Sequence, residues 1–244
     1  MADTAVGMNK IERGPNIIYS VLVPNMAGFK AAVEVNADEV AIFGASSETF
    51  SKKNINCSIA ESLSRFQLVC EAAAEQGIPV RGYVSTVLDC PYEGEIAPEN
   101  TARVAESLHK MGCHEISLGD TIGRGTPRRA QNMIDAVAQR VPIEKIALHF
   151  HDTFGQALAN IIACMELGVA VIDSSVAGLG GCPYAEGASG NVATEDVLYM
   201  LNGLEVDTGI NLDEVLNTVE FISSALGKAP VSKVGNALTN RKVI

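Results

Sequence analysis

The stretch Leu148-His149-Phe150-His151-Asp152 sets two imidazoles two residues apart. Side chains alternate along a β-strand, so a spacing of two points both rings to the same side. Two imidazoles converging on one point form a metal-ligand arrangement. The competing interpretation is a pair of unrelated polar residues at a strand end, one of them capped by Asp152. Two further stretches end apolar runs with polar residues: Ser117-Leu118-Gly119-Asp120-Thr121 and Ile172-Asp173-Ser174-Ser175. The segment Ala177–Asn191 holds five glycines around Cys182-Pro183-Tyr184. Glycine permits tight turns and close backbone approach. A plain connector rarely carries Cys-Pro-Tyr in its middle, so a closing lid is the better interpretation.

The elements that must position these residues alternate along the chain. Short apolar runs, rich in β-branched residues, lie at Ile17–Val23, Glu39–Gly44, Val80–Val87, Glu115–Gly119, Lys145–His149 and Val169–Ser175. They suit strands buried on both faces. Helical stretches lie between. Ser58-Ile59-Ala60-Glu61 is a capping box that opens a helix to about Gln76, and Gly77 ends it. Pro98 and Thr126-Pro127 open two more, and Gln156–Leu167, Thr194–Leu204 and Asn211–Leu226 complete the set. Strand–helix alternation predicts parallel strands with right-handed crossovers, whose chemistry sits at the C-terminal strand ends. The polar stretches fall there. A doubly wound sheet also alternates, but the turn after the first run, Pro24-Asn25-Met26, is no glycine-rich phosphate loop.

The expected fold is therefore α/β, of the (β/α)₈ TIM-barrel type, but incomplete. Six strand–helix units are legible where a barrel closes with eight. Residues 1–244 are expected to form a single barrel-type catalytic domain lacking its first two strands. The first and last runs would then be unpaired edges.

Composition narrows the partners. The chain has 244 residues, 47% hydrophobic and 19% charged, enough to bury a core. Its net charge of −11 argues against nucleic acid and anionic membranes. No apolar stretch is long enough to span a bilayer, and Met1–Lys10 lacks a secretory pattern. Six cysteines with no C-x-x-C pair point to reduced thiols in a cytosol-like compartment.

Ser175-Val176-Ala177-Gly178-Leu179-Gly180-Gly181-Cys182-Pro183-Tyr184 resembles the signature segment of the 3-hydroxy-3-methylglutaryl-CoA lyase family. Lys52–Cys57, Arg81–Val84, Cys90–Gly94, Ser117–Gly123 and Leu148–Gln156 resemble the same family in the same order. The H-x-H pair alone is shared with related Claisen-type synthases. The resemblance implies that His149, His151 and Asn191 ligate a divalent cation, Mg²⁺ or Mn²⁺. It implies that Cys182 sits on a mobile loop and takes part in proton transfer, and that Asp120 is a polar active-site residue. Glu195, Asp196 and Arg81 are implied as supports, and Asn54 as a substrate contact.

The implied reaction cleaves 3-hydroxy-3-methylglutaryl-CoA to acetyl-CoA and acetoacetate. An acyl-CoA substrate needs cations for its phosphates. Lys52, Lys53, Arg124, Arg128 and Arg129 follow two of the strands, either for that purpose or as solvated charges. The family implies a homodimer, in a mitochondrial matrix or a bacterial cytoplasm. The departure is a strand ending in Arg-Asp, which the family uses for a metal ligand and for the reacting carbonyl. Without it, this polypeptide alone is expected to bind metal weakly, to aggregate, and to show little activity. A related condensing synthase and a catalytically silent chain are the alternatives.

Overall fold

The computed structural model describes residues 4–181 and 190–239. Its strands are β1 (Ser20–Leu22), β2 (Glu39–Ala45), β3 (Val80–Ser85), β4 (Asp89–Cys90), β5 (Gly94–Glu95), β6 (Glu115–Asp120), β7 (Ile146–Phe150) and β8 (Val171–Asp173). Its helices are α1 (Thr4–Lys10), α2 (Met26–Glu34), α3 (Glu48–Ile55), α4 (Ile59–Glu75), α5 (Pro98–Lys110), α6 (Pro127–Ala138), α7 (Ala157–Met165), α8 (Thr194–Gly203), α9 (Leu212–Leu226) and α10 (Lys233–Thr239).

Helix boundaries follow local chemistry. Ser58 and Glu61 form the reciprocal capping box at the start of α4. Asn211 accepts from the N–H groups of Asp213 and Glu214 to open α9, and Gly227, left-handed at φ 62°, closes it. Thr126 makes no side-chain capping bond, so α6 starts on the fixed φ of Pro127 alone.

Six strands form one all-parallel sheet in the order β1-β2-β3-β6-β7-β8, while β4 and β5 make a small separate hairpin. The strand order follows the chain, so every crossover steps the same way and the sheet curls as part of a barrel. Helices cover its outer face: α4 lies on β2, α5 on β3 and β6, and α7 on β7. Ile42, Phe66, Val84, Leu108, Ile116, Leu118, Met133, Ile134 and Leu148 fill the layer between, all fully or almost fully buried.

Register decides which residues face inward. Tyr83 stands beside Ser117, Gly119 beside His149, and His149 beside Asp173. These share the concave face, whereas Leu118, Asp120, Leu148 and Phe150 alternate onto the helix side. Among the described residues β1 and β8 are the two ends of the sheet, as expected from the sequence. The β1 side is apolar and open, with Ile17 57% and Ile18 67% exposed. Such an edge invites association.

Two substitutions separate core from edge. Leu118→Ala should lower unfolding stability in urea by about 2–5 kcal/mol through the cavity it leaves. Ile18→Lys should leave stability within about 0.5 kcal/mol while reducing light scattering of the concentrated protein. Unchanged scattering would show that this edge does not drive association.

Candidate active site

The concave face holds a cavity of about 580 Å³. Phe43, Phe50, Tyr83, Asn54, His149, His151 and Gly181 contribute to its wall. The wall is mainly apolar with a few polar groups at the strand ends, the usual composition of a small-molecule site.

Asp173 organises the polar part. Its Oδ2 accepts from Ser117 Oγ at 2.7 Å and from Arg81 Nη1 at 3.1 Å, and its Oδ1 accepts from Arg81 Nη2 at 2.8 Å. Arg81 also donates from Nε to Glu115 at 2.5 Å and from Nη1 to the Tyr83 hydroxyl. Burial opposes charge on both partners, yet their mutual attraction wins. The hydrogen bonds from His149, Arg81 and Ser117 outweigh desolvation and hold the Asp173 carboxyl at about 2. Desolvation likewise opposes the Arg81 charge, but Asp173 pushes the guanidinium above its ordinary value. Burial, aided by the Asp173 charge, raises the Tyr83 phenol to about 12 and keeps it neutral.

An ionised carboxylate only accepts, so the 3.3 Å contact between His149 Nδ1 and Asp173 Oδ2 requires the proton on Nδ1. In the neutral ring Nε2 is then left as the ligand atom. A carboxylate behind an imidazole is the usual way to fix the tautomer of a metal-ligating histidine. The His151 ring lies 5.8 Å from that of His149, centre to centre. Its Nδ1 is buried without a hydrogen-bond partner. Desolvation, then the neighbouring His149, depresses His151 to about 4 and keeps it neutral near pH 7.

Asn191 reaches this pair from the far side of the glycine-rich segment. It forms an antiparallel bridge with His151, flanked by Asp152 N–H to Gly190 O at 3.1 Å and Val192 N–H to Phe150 O at 3.0 Å. Directly opposed residues in an antiparallel pair present neighbouring side chains on one face. The fold thus sets Asn191 opposite His151, whose ring neighbours that of His149, at the end of β7. Among the described residues no group of three His, Cys, Asp or Glu is placed to hold a metal ion. The donor set here is two imidazoles and an amide, with a buried, unpartnered and neutral ring nitrogen. These features fit a divalent cation.

Other expected site residues divide. Asn54 lines the same cavity. Arg81 supports His149 through Asp173, as described above. Glu195 is fully buried and its Oε2 accepts from Ala177 N–H at 3.2 Å, where the glycine-rich segment begins. Asp196 turns away and accepts from the N–H groups of Lys233 and Val234, the start of α10. Lys52 and Lys53 are exposed in the last turn of α3, with Lys53 over the Tyr92 ring. Arg124 and Arg128 are exposed after β6, two strands along the sheet from β2. Arg129 belongs instead to the β4–β5 hairpin, which it ties down through Asp89 at 2.7 Å and the Leu88 carbonyl at 2.8 Å. Cys182 lies outside the described residues.

Asp120 is the expected site residue that the fold does not bring to the cavity. It pairs in register with Phe150 and faces the helix layer, one residue out of phase with Gly119 and His149. Its Oδ2 accepts from Gly125 N–H at 2.8 Å, holding the loop after β6. Burial raises its carboxyl to about 6 against the pull of that N–H. Asp173 and Ser117, seen in the sequence only as polar strand ends, and Tyr83 are site residues to which the motifs gave no individual role. Their signal is the shared parity with His149 across β3, β6, β7 and β8.

Fold and site together define a barrel-type α/β enzyme with an imidazole pair at the C-terminal strand ends. The HMGL-like family profile matches residues 4–222. The mitochondrial hydroxymethylglutaryl-CoA lyase of Bos taurus is 58% identical over 97% of this chain and 73% of its own length. The crystal structure of hydroxymethylglutaryl-CoA lyase from Pseudomonas aeruginosa superposes with a TM-score of 0.95 at 54% identity, covering 98% of this chain and 80% of that one. An HMG-CoA lyase from Acinetobacter baumannii, solved in complex with coenzyme A and 3-methylmalate, gives 0.93 at 33% identity, over 99% of this chain and 79% of that one. The chain belongs to the HMGL-like family.

Breaking the central pair tests this electrostatic arrangement. Asp173→Asn should cost about 1–3 kcal/mol, because it removes one of the two carboxylates that pair the buried Arg81 charge and leaves only Glu115. The Asp173 carboxyl is lowered from its ordinary 3.8 to about 2, so it stabilises the fold above the ordinary value. The difference between parent and variant should therefore be full near neutral pH and shrink as pH falls from 3.8 toward 2. Denaturant titrations across that range measure it.

Proposed function

We propose that this chain cleaves 3-hydroxy-3-methylglutaryl-CoA to acetyl-CoA and acetoacetate, using Mg²⁺ or Mn²⁺ held by His149, His151 and Asn191. The observation that carries the metal is the arrangement of His151, His149 and Asp173: a neutral ring whose buried Nδ1 has no partner, beside one whose tautomer a carboxylate fixes. The substrate class rests on family membership and on close relatives that bear the lyase name. The coenzyme A in the Acinetobacter relative supports a coenzyme A-type ligand for this fold.

A bound divalent cation supplies Lewis-acid polarisation of the substrate's tertiary hydroxyl and lowers its pKa. The chain's own groups do the rest. Asp173, kept ionised by Arg81, fixes the direction of His149. The apolar wall of Phe43 and Phe50 excludes water, which strengthens nearby electrostatic interactions. As the hydroxyl gives its proton to a base, the C2–C3 bond breaks and its electron pair stays on C2: C3 becomes the ketone of acetoacetate and C2 the enolate carbon of acetyl-CoA. Cys182 is assigned the proton that this carbon takes up, and Asn54 a contact with substrate. Lys52, Lys53 and Arg124 are assigned to the phosphates of CoA; Arg129, occupied by Asp89, is not.

The 244-residue polypeptide assayed alone should release acetyl-CoA and acetoacetate in equal amounts, and only with Mg²⁺ or Mn²⁺ added. His149→Ala should weaken metal binding by about 10–100-fold or more. Metal-independent cleavage would sink the proposal. Condensation of acetyl-CoA with an oxoacid, in place of cleavage, would establish the synthase alternative.

A further inference from the structure

The two ends of the glycine-rich segment meet in a tight neck. Gly180 and Gly190 both have left-handed backbones, at φ 97° and 109°. A Cβ on Gly190 would lie 1.8 Å from the Gly180 carbonyl oxygen and 2.9 Å from that of Gly178. A Cβ on Gly180 would lie 2.7 Å from Asn191 Nδ2. Only glycine satisfies both the conformation and the contact at these positions. The closeness lets Asn191 Nδ2 donate to the Leu179 carbonyl at 3.0 Å. The backbone on either side of Asn191 is tied down as well, by Asp152 N–H to Gly190 O at 3.1 Å and Ser175 N–H to Val192 O at 3.0 Å.

An amide carries its nitrogen and oxygen on opposite branches of one plane, so fixing the nitrogen fixes the direction of the oxygen. We infer that the neck is an orienting clamp: Leu179, Gly180 and Gly190 are positioning residues that aim Asn191 Oδ1 at the point shared by His149 and His151. The inference rests on the metal site proposed above and deepens it. It makes the glycines part of cation affinity although none of them donates to a cation. A partner that fixes a ligand's orientation typically accounts for about 10–100-fold in metal affinity.

The test is Mn²⁺ titration of the full chain, followed by the electron paramagnetic resonance signal of free Mn²⁺. Asn191→Asp is nearly isosteric and offers a hard cation an anionic oxygen, but has no N–H for Leu179. If the oxygen alone matters, it binds Mn²⁺ at least as tightly as the parent. The clamp requires it to bind about 10-fold or more weakly. Gly190→Ala keeps every donor and should weaken binding comparably, with circular dichroism confirming that the fold is retained. Should Gly190→Ala fail to fold, Asn191→Asp decides the matter alone. Parent-like affinity in Asn191→Asp overturns the clamp and leaves the metal site standing. A parent chain that binds no Mn²⁺ overturns the metal site, and the clamp with it.

Discussion

Inside the curved sheet, the Asp173 carboxylate sits among donors from three other strands: Arg81 on β3, Ser117 on β6 and His149 on β7. Burial by itself would drive a proton onto that carboxylate. The Arg81 guanidinium prevents it, and Glu115 and Tyr83 hold Arg81 in turn. Because Asp173 remains ionised, it can only accept. His149 must therefore present Nδ1–H to it and turn Nε2 elsewhere. The chemistry proposed for the cavity depends on this chain of constraints. It is also a constraint on the fold, because the four residues meet only if β3, β6, β7 and β8 are neighbours in that order and register.

The other face of the same strands does different work. Leu118, Leu148 and Phe150 pack beneath the helices. Asp120, between them in phase, spends its carboxylate on the Gly125 N–H and its carbonyl on Gly123 and His151 N–H. It steadies the loop beside the cavity and stays out of the cavity itself. Glu195 and Asp196 divide in the same way, one holding the turn at Ala177 and the other the start of α10. The polar residues near this site thus fall into an inner set that faces the cavity and an outer set that fixes the loops around it.

The sequence made much of this legible. The six β-branched runs are the six sheet strands, and Ser58–Glu61 and Asn211 mark helix starts because their side chains answer specific backbone N–H groups. The H-x-H spacing placed both imidazoles on one face because strand periodicity is two. Helices α2, α3 and α10, seven to nine residues each, were not read from the sequence. The β4–β5 hairpin, two residues per strand, depends on Arg129 reaching Asp89 from 40 residues away. Asp120 was misplaced by its motif: it lies beside Gly119 in sequence, but only register shows that Gly119 shares the side of His149. Asp173 was visible as a polar strand end, yet its role required knowing that Arg81, 92 residues earlier, points at it.

The central claim is that Asp173 dictates which nitrogen of His149 faces the cavity. Nitrogen-15 NMR of the imidazole in metal-free protein near neutral pH reads this directly. The account requires the neutral His149 ring to be the Nδ1–H tautomer, and loss of that preference in Asp173→Asn. A neutral His149 ring that carries its proton on Nε2, or a tautomer unchanged when Asp173 becomes asparagine, would contradict it.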